Sequence, residues 1–293
     1  MNQLIKWCFV LLFGGLTSVS SQGQEFKGVL TYKSKTSIDI SQFNRGGEQM
    51  TEQRKKQIME RMKNFLEKEY TLAFTKNESF YKEEEALASP AVGGGRGGFG
   101  RNFVQGGVYK NVSENAYARE NNVFGKTFLV KDSLNNLEWE LVKESKMIGN
   151  YPVFKAIATR PLGEDMFSRF RRARASRRAN KAKDSTATVS DASEKEIPKT
   201  ETIIAWYTPM IPVAHGPGDF DGLPGLILEL NTSNTTILCT KVVLNPKEDI
   251  KIKIPTKGKE ITREEYTTII EEKAKEMYQR FGGNRRGRGR FGG

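Results

Sequence analysis

His215, the only histidine of the chain, stands with Asp219 and Asp221 in a single seven-residue stretch. One imidazole and two carboxylates so close together are the raw material of a general acid–base pair or of a metal site. The set is incomplete for zinc, and a lone histidine leaves any Ser/His/Asp or Cys/His centre one candidate base. No Cys-His zinc spacing, phosphate-binding P-loop or dinucleotide glycine fingerprint occurs elsewhere in the chain. The plainer alternative is a solvated loop in which Asp219 and Asp221 cap main-chain amides and His215 sits in water. The residues alone therefore assign no catalytic group, no metal ligand and no cofactor.

Elements on either side must position this cluster. Gly222, Leu223, Pro224 and Gly225 follow it directly, and Leu223-Pro224-Gly225 has the chemistry of a type II turn. Proline presets the first central φ, and Gly225 is expected in the φ > 0 position. Leu226, Leu228 and Leu230 then alternate with Ile227, Glu229 and Asn231, the pattern of a half-buried strand. Upstream, Tyr207 closes a strand-like run and Phe220 lies inside the loop, so both are expected to be exposed to a ligand or partner. Trp139 and Trp206 fit either a ligand groove or the core.

The string Gly222-Leu223-Pro224-Gly225-Leu226-Ile227 resembles the signature of the GLPGLI family, secreted β-rich proteins of Bacteroidetes-type bacteria whose role is largely unassigned. The resemblance runs from about Glu25 to Pro246, through Phe26 to Tyr32, Leu137 to Leu141, Ile148 to Tyr151, Lys155-Ala156 and Ala205 to Pro209. Many relatives carry a cysteine just before the Lys-Ala pair, whereas Val153-Phe154 stand there in this chain. The resemblance implies an exported protein of the periplasm or outer membrane.

The N-terminus agrees with that compartment. Met1 to Ser21 has one lysine, an apolar run from Trp7 to Leu16 and then small residues, which reads as a Sec-type signal peptide over residues 1–21. No other apolar run is long enough to span a membrane as a helix. Cleavage would leave Cys239 as the only cysteine, expected to be a small buried hydrophobe.

The net charge of +12 is concentrated in three acid-free stretches, 91–107, 166–183 and 279–293, and the remainder is mildly acidic. Residues 89–107 and 163–199 read as low-complexity insertions in one β-rich domain spanning 25–281, and 282–293 as a disordered Gly/Arg tail. Arg171, Arg172, Arg177, Arg178, Arg285, Arg286, Arg288 and Arg290 are candidates for contact with an anionic envelope surface such as lipopolysaccharide. In a cytoplasmic protein such tails would suggest RNA; the leader argues against nucleic acid.

About ten alternating runs with short turns predict a mainly β (α+β) fold, a large antiparallel sheet curled into an open or half barrel. Glu48 to Tyr70 has helical periodicity and is expected to cover the concave face. A C-terminal helix over 262–281 begins with Thr262 and Glu265 at capping-box spacing. Gly149-Asn150 is expected to turn a tight hairpin. These features lead to a non-enzymatic binding or accessory protein, working with an outer-membrane partner such as a TonB-dependent transporter. The alternatives are a hydrolase or hydrolase-accessory domain for peptides or glycans, using His215, Asp219 and Asp221, and a carrier of an apolar ligand.

Overall fold

A computed structural model describes residues 26–38, 51–84, 103–161, 200–250 and 252–282. Twelve strands form one sheet: β1 (Gly28–Thr36), β2 (Glu67–Phe74), β3 (Glu78–Glu83), β4 (Phe103–Asn111), β5 (Ala116–Val123), β6 (Lys126–Asp132), β7 (Glu140–Ile148), β8 (Tyr151–Pro161), β9 (Thr200–Thr208), β10 (Leu226–Asn231), β11 (Thr235–Leu244) and β12 (Lys259–Ile261). Their spatial order is β12-β6-β5-β4-β3-β2-β1-β11-β10-β9-β8-β7. Every pairing is antiparallel except that of β12 with β6. The fold is therefore mainly β, one large open sheet accompanied, among the described residues, by two helices, α1 (Glu52–Leu66) and α2 (Arg263–Gly282).

The alternation of side chains explains the register. Leu30 pairs with Leu72 and Tyr32 with Tyr70, which places the large apolar residues of β1 and β2 on one face. Leu72 in turn faces Tyr81 across β3. A slip of one residue would turn this whole set toward solvent, so the register is tightly specified.

Two boundaries differ from the sequence pattern. Helix α1 ends at Leu66 rather than near Tyr70, and Glu67 is already extended. The helical spacing of Ile58, Met62, Phe65 and Leu66 runs out there, and Tyr70, Leu72 and Phe74 alternate at period two against β1. The alternating pattern over 71–81, which by itself reads as one strand, is a hairpin, because Thr75 breaks it: its amide donates to Glu78 O at 2.8 Å and its hydroxyl accepts from Glu78 N at 3.1 Å.

Strand β4 starts at Phe103, inside the stretch expected to be a low-complexity insertion, and Gly106 and Gly107 lie in a bulge of that strand. Residues 89–102 and 163–199 fall outside the described residues, as do 283–293, the expected signal peptide over 1–21 and all eight candidate arginines of the basic stretches.

The hairpin at Gly149-Asn150 has a two-residue turn, with Gly149 at φ +56. The capping box at α2 is complete: Glu265 N donates to Thr262 Oγ1 at 3.2 Å, and Thr262 N donates to Glu265 Oε2 at 2.9 Å. Helix α1 lies at the β1/β2 end, most of its side chains exposed, and only Leu66 among its described side chains is buried. The layer over the middle of the sheet comes instead from the connection between β9 and β10. Among the described residues no helix is long and apolar enough to cross a membrane.

Candidate functional site

Residues 209–225, the connection between β9 and β10, fold back across the sheet. Ile211 and Val213 join the core cluster of Leu30, Tyr32, Leu72 and Phe74. Phe220 and Leu223 join a second cluster with Ala156, Ile203, Ala205 and Tyr207. Thus one irregular segment fastens the two halves of the apolar interior. Tyr207 and Phe220 are buried, contrary to the expectation that both would be exposed. Apolar packing of Phe220 in one cluster with Tyr207 and Leu223 outweighs the polar character of the residues around it in the sequence.

A buried segment without helix or ladder must find partners for its main chain. Some come from the segment itself: Leu226 N donates to Ile211 O at 3.0 Å, Ile227 N to His215 O at 3.1 Å, and Gly222 N to Ala214 O at 3.1 Å. Others come from the sheet. Lys110 of β4, fully buried, donates through Nζ to Phe220 O at 2.6 Å and to Gly216 O at 3.3 Å. Tyr32 donates its hydroxyl to Ile227 O at 2.6 Å, and Trp139 Nε1 donates to Asp221 O at 2.9 Å.

The hexapeptide is built differently from a simple type II turn. Gly225 does not take a positive φ; the left-handed residues are Gly218 at φ +60 and Gly222 at φ +86. Gly225 is needed for close approach, since a Cβ there would lie 2.3 Å from the main-chain oxygen of Thr208. Leu223 is buried in the second core cluster while Pro224 points outward.

The three ionisable residues of the loop are drawn to the same face but do not form one centre. His215 is fully buried, its ring tilted against Phe74 and its Nε2 3.1 Å from Thr75 O. That contact makes Nε2 the protonated nitrogen, and Nδ1 is buried without a hydrogen-bond partner. Burial, reinforced by the Lys110 ammonium, pushes the imidazole down to about 3, against the carbonyls of Thr75 and Lys76. It is a neutral core histidine rather than a solvated one.

Asp221 Oδ2 lies 3.3 Å from Lys110 Nζ, an ion-pair distance. Burial raises the Asp221 carboxyl and lowers the Lys110 ammonium, each partly offset by the other's charge. Asp219 has different company. Burial raises its carboxyl, but the charges of Arg119, Arg263 and Lys110 and a hydrogen bond from Tyr117 together hold it below the ordinary aspartate range. Arg263, at the start of α2, stacks its guanidinium 3.8 Å over the Tyr117 ring and donates to Ser133 O at 3.2 Å. The loop carboxylates therefore meet cations of β4, β5 and the start of α2 rather than main-chain amides. Among the described residues no group of three His, Cys, Asp or Glu side chains could hold a metal ion.

Lys110, Tyr117, Arg119 and Arg263 belong to no local motif. One signal was available in the sequence. Lys110 shares its strand parity with buried Val108, and Arg119 shares its parity with Tyr117, so two charges stand on core positions. Trp206 is half-buried with the Lys146 ammonium 4.2 Å from its ring centre, and Lys146 pairs with Glu229 at 2.5 Å. Cys239 is buried, and burial pushes its thiol up to about 12.

Residues 139–229 match the model of a family described as "protein of unknown function (Porph_ging)". That span runs from Trp139 through β7, β8 and β9, the covering loop and most of β10. No curated protein matches the chain. Two solved structures are similar in part, both of PNGF-II, in the P21 and C2 space groups. The first is 12% identical with a TM-score of 0.44, covering 84% of this chain and 33% of that one. The second is 14% identical with the same TM-score, covering 84% of this chain and 32% of that one. The chain thus spans about a third of the length of those proteins.

Proposed function

We propose that this chain is a GLPGLI-type, non-enzymatic binding or accessory module of a bacterial envelope, working beside an outer-membrane protein such as a TonB-dependent transporter. The observation that supports this best is that the chemistry of the loop is spent inward. His215 is closed off against Thr75 O, Asp221 faces Lys110, and Asp219 faces Arg119. A hydrolase built on these three residues would have to expose them, at the expense of the contacts that hold the loop down.

The surface left for a partner lies at the β7 end of the sheet. Leu141, Met147 and Phe154 share one face by register and are all exposed. Among the described residues no strand pairs with the outer edge of β7, which runs for nine residues, whereas the opposite edge, β12, has three. An extended segment of a partner protein would add to β7 through main-chain hydrogen bonds and set its apolar side chains beside Leu141 and Met147. The basic stretches carrying Arg171, Arg172, Arg177, Arg178, Arg285, Arg286, Arg288 and Arg290 would supplement this by salt-sensitive attachment to lipopolysaccharide phosphates.

A photo-crosslinking residue at Met147, compared with one at Glu260 on the other edge, tests this in native envelopes. The expected result is one outer-membrane protein captured from position 147 and not from 260. Capture of nothing, or of the same proteins from both positions, would overturn the reading. His215→Gln separates the hydrolase alternative, which predicts loss of a hydrolytic activity where the module predicts unchanged capture.

A further inference from the structure

The face of the sheet turned away from the loop carries a hollow of about 490 Å³. Alternation puts it there: Leu72, Phe74 and Tyr81 face the loop, so Thr71, Ala73, Phe80 and Lys82 face the other way. The hollow exists because several neighbouring positions are nearly bare. Ala73 pairs with Phe80 across β2 and β3, and the β4 bulge contributes Gly106 and Gly107. A Cβ on Gly107 would lie 2.3 Å from the Phe80 ring, so that ring rests on naked backbone. A Cβ on Gly106 would lie 2.3 Å from Glu120 O.

A second wall comes from the segment between β11 and β12. Pro255 is buried there, and Glu120 Oε1 fixes the strap by accepting from Thr256 N and Lys257 N, each at 2.9 Å. Those main-chain donors hold the Glu120 carboxyl below the usual range, so it stays an anion committed to the strap. The rim then presents two ammonium groups, Lys253, exposed, and Lys82, which is 3.3 Å from exposed Glu84. The interior is methyl, ring and bare backbone, with the strap-bound Glu120 carboxylate in one wall; the mouth carries the Lys253 ammonium and the Lys82–Glu84 pair. The volume lies within the roughly 300–1,000 Å³ of small-molecule sites.

We propose that this hollow binds a small amphipathic anion, with its apolar body on Phe80 and Ala73 and its acidic head between Lys82 and Lys253. The site is independent of the β7 edge and of the module reading, and its loss would leave both untouched.

The test uses the full chain with anilinonaphthalene sulfonate, an aromatic body carrying one anionic group, followed by fluorescence titration and methyl NMR. Saturation at one equivalent, with shifts at the Ala73 and Thr71 methyls, is expected. Ala73→Phe fills the hollow and should abolish that binding. Lys253→Glu, at an exposed side chain that leaves the fold intact, should weaken it roughly three- to tenfold by replacing a charge-assisted contact with a repulsive one. Met59→Ser, at an exposed apolar residue of α1, should leave this binding unchanged. Binding that survives Lys253→Glu undiminished, shifts confined to other residues, or no binding at all would overturn the proposal.

Discussion

Helix α1 and the 209–225 loop invert the usual relation between regularity and burial. The helix satisfies its own main chain, so it can stand at the β1/β2 end with most of its surface in water. The loop has no helix or ladder to do this, yet Ile211, Val213, His215 and Leu223 are almost wholly buried. What makes that tolerable is the sheet beneath it, which carries polar side chains on core positions. Lys110, on a core position of β4, takes the carbonyls of Gly216 and Phe220; Trp139, just ahead of β7, takes that of Asp221; and Tyr32 of β1 takes that of Ile227, where the loop enters β10. An irregular segment becomes a structural layer when its partner surface is built to receive its backbone, whereas a regular one need not be covered at all.

The sharpest way to break this contrast is Lys110→Met. The replacement leaves two buried carbonyls without their donor and Asp221 without its counter-charge. Removing one partner of a buried pair costs about 3–5 kcal/mol, and urea unfolding should show a loss of that size. Adding Asp221→Asn should recover part of it, since the stranded charge is then gone. A loss under about 1 kcal/mol, the level of an ordinary hydrogen bond, would mean that Lys110 is not what holds the loop.

Gly225→Ala comes next. The new methyl would meet Thr208 O at 2.3 Å, and main chain cannot rotate away as a side chain could. The upper part of the overpacking range, about 3 kcal/mol, is expected. Gly222→Ala makes the informative partner, because its penalty is conformational: φ is +86 there, but the nearest atom to an added Cβ is 3.9 Å away. It should cost about 1–2 kcal/mol. Equal effects would show that the two glycines serve one purpose.

That pair also marks how far the sequence could be read. The alternation of Leu226, Leu228 and Leu230 correctly announced a strand, and Thr262 with Glu265 announced a capped helix, because both signals are local. The roles within the hexapeptide were not legible, since Gly225 answers to Thr208, seventeen positions back in the chain but touching it in space. His215, Asp219 and Asp221 are close in the sequence, but each is held by other groups: Thr75 between β2 and β3 for His215, and Lys110, Tyr117 and Arg119 on β4 and β5 for the carboxylates. No pattern within the loop could have named them. The helix from Glu48 onward was overextended for the same reason: Tyr70 belongs to β2 only because Tyr32 lies opposite.

A third test lies in pH. The folded protein holds His215 neutral down to about 3, while the unfolded chain takes up the proton near 6.5. Between those values the unfolded state binds more protons, so this contribution is complete above pH 6.5 and declines as the pH falls. The slope approaches 1.4 kcal/mol per pH unit, which gives a loss of about 2 kcal/mol by pH 5, before carboxylates titrate. His215→Gln keeps an amide N–H for Thr75 O and should flatten the pH 7 to 5 window. A wild-type stability that is already flat there would show that the ring charges freely in the folded state.

The smallest effect belongs to the helix, and it completes the contrast from the other side. Thr51 caps α1 by accepting from Arg54 N at 3.3 Å. Thr51→Ala removes that acceptor, which costs a helix about 1 kcal/mol. In a helix packed into the core, that sum would appear in the global unfolding midpoint. Here α1 lies mainly against β1 and β2, and Leu66 is the one buried side chain among those described in it, so fraying need not open the sheet. Amide exchange should accelerate across 52–62 while the urea midpoint stays within about 0.5 kcal/mol of wild type, the range of an ordinary surface change. A midpoint that fell by the full cost of the cap would couple α1 to the sheet as tightly as the loop, and regularity and burial would no longer part company in this fold.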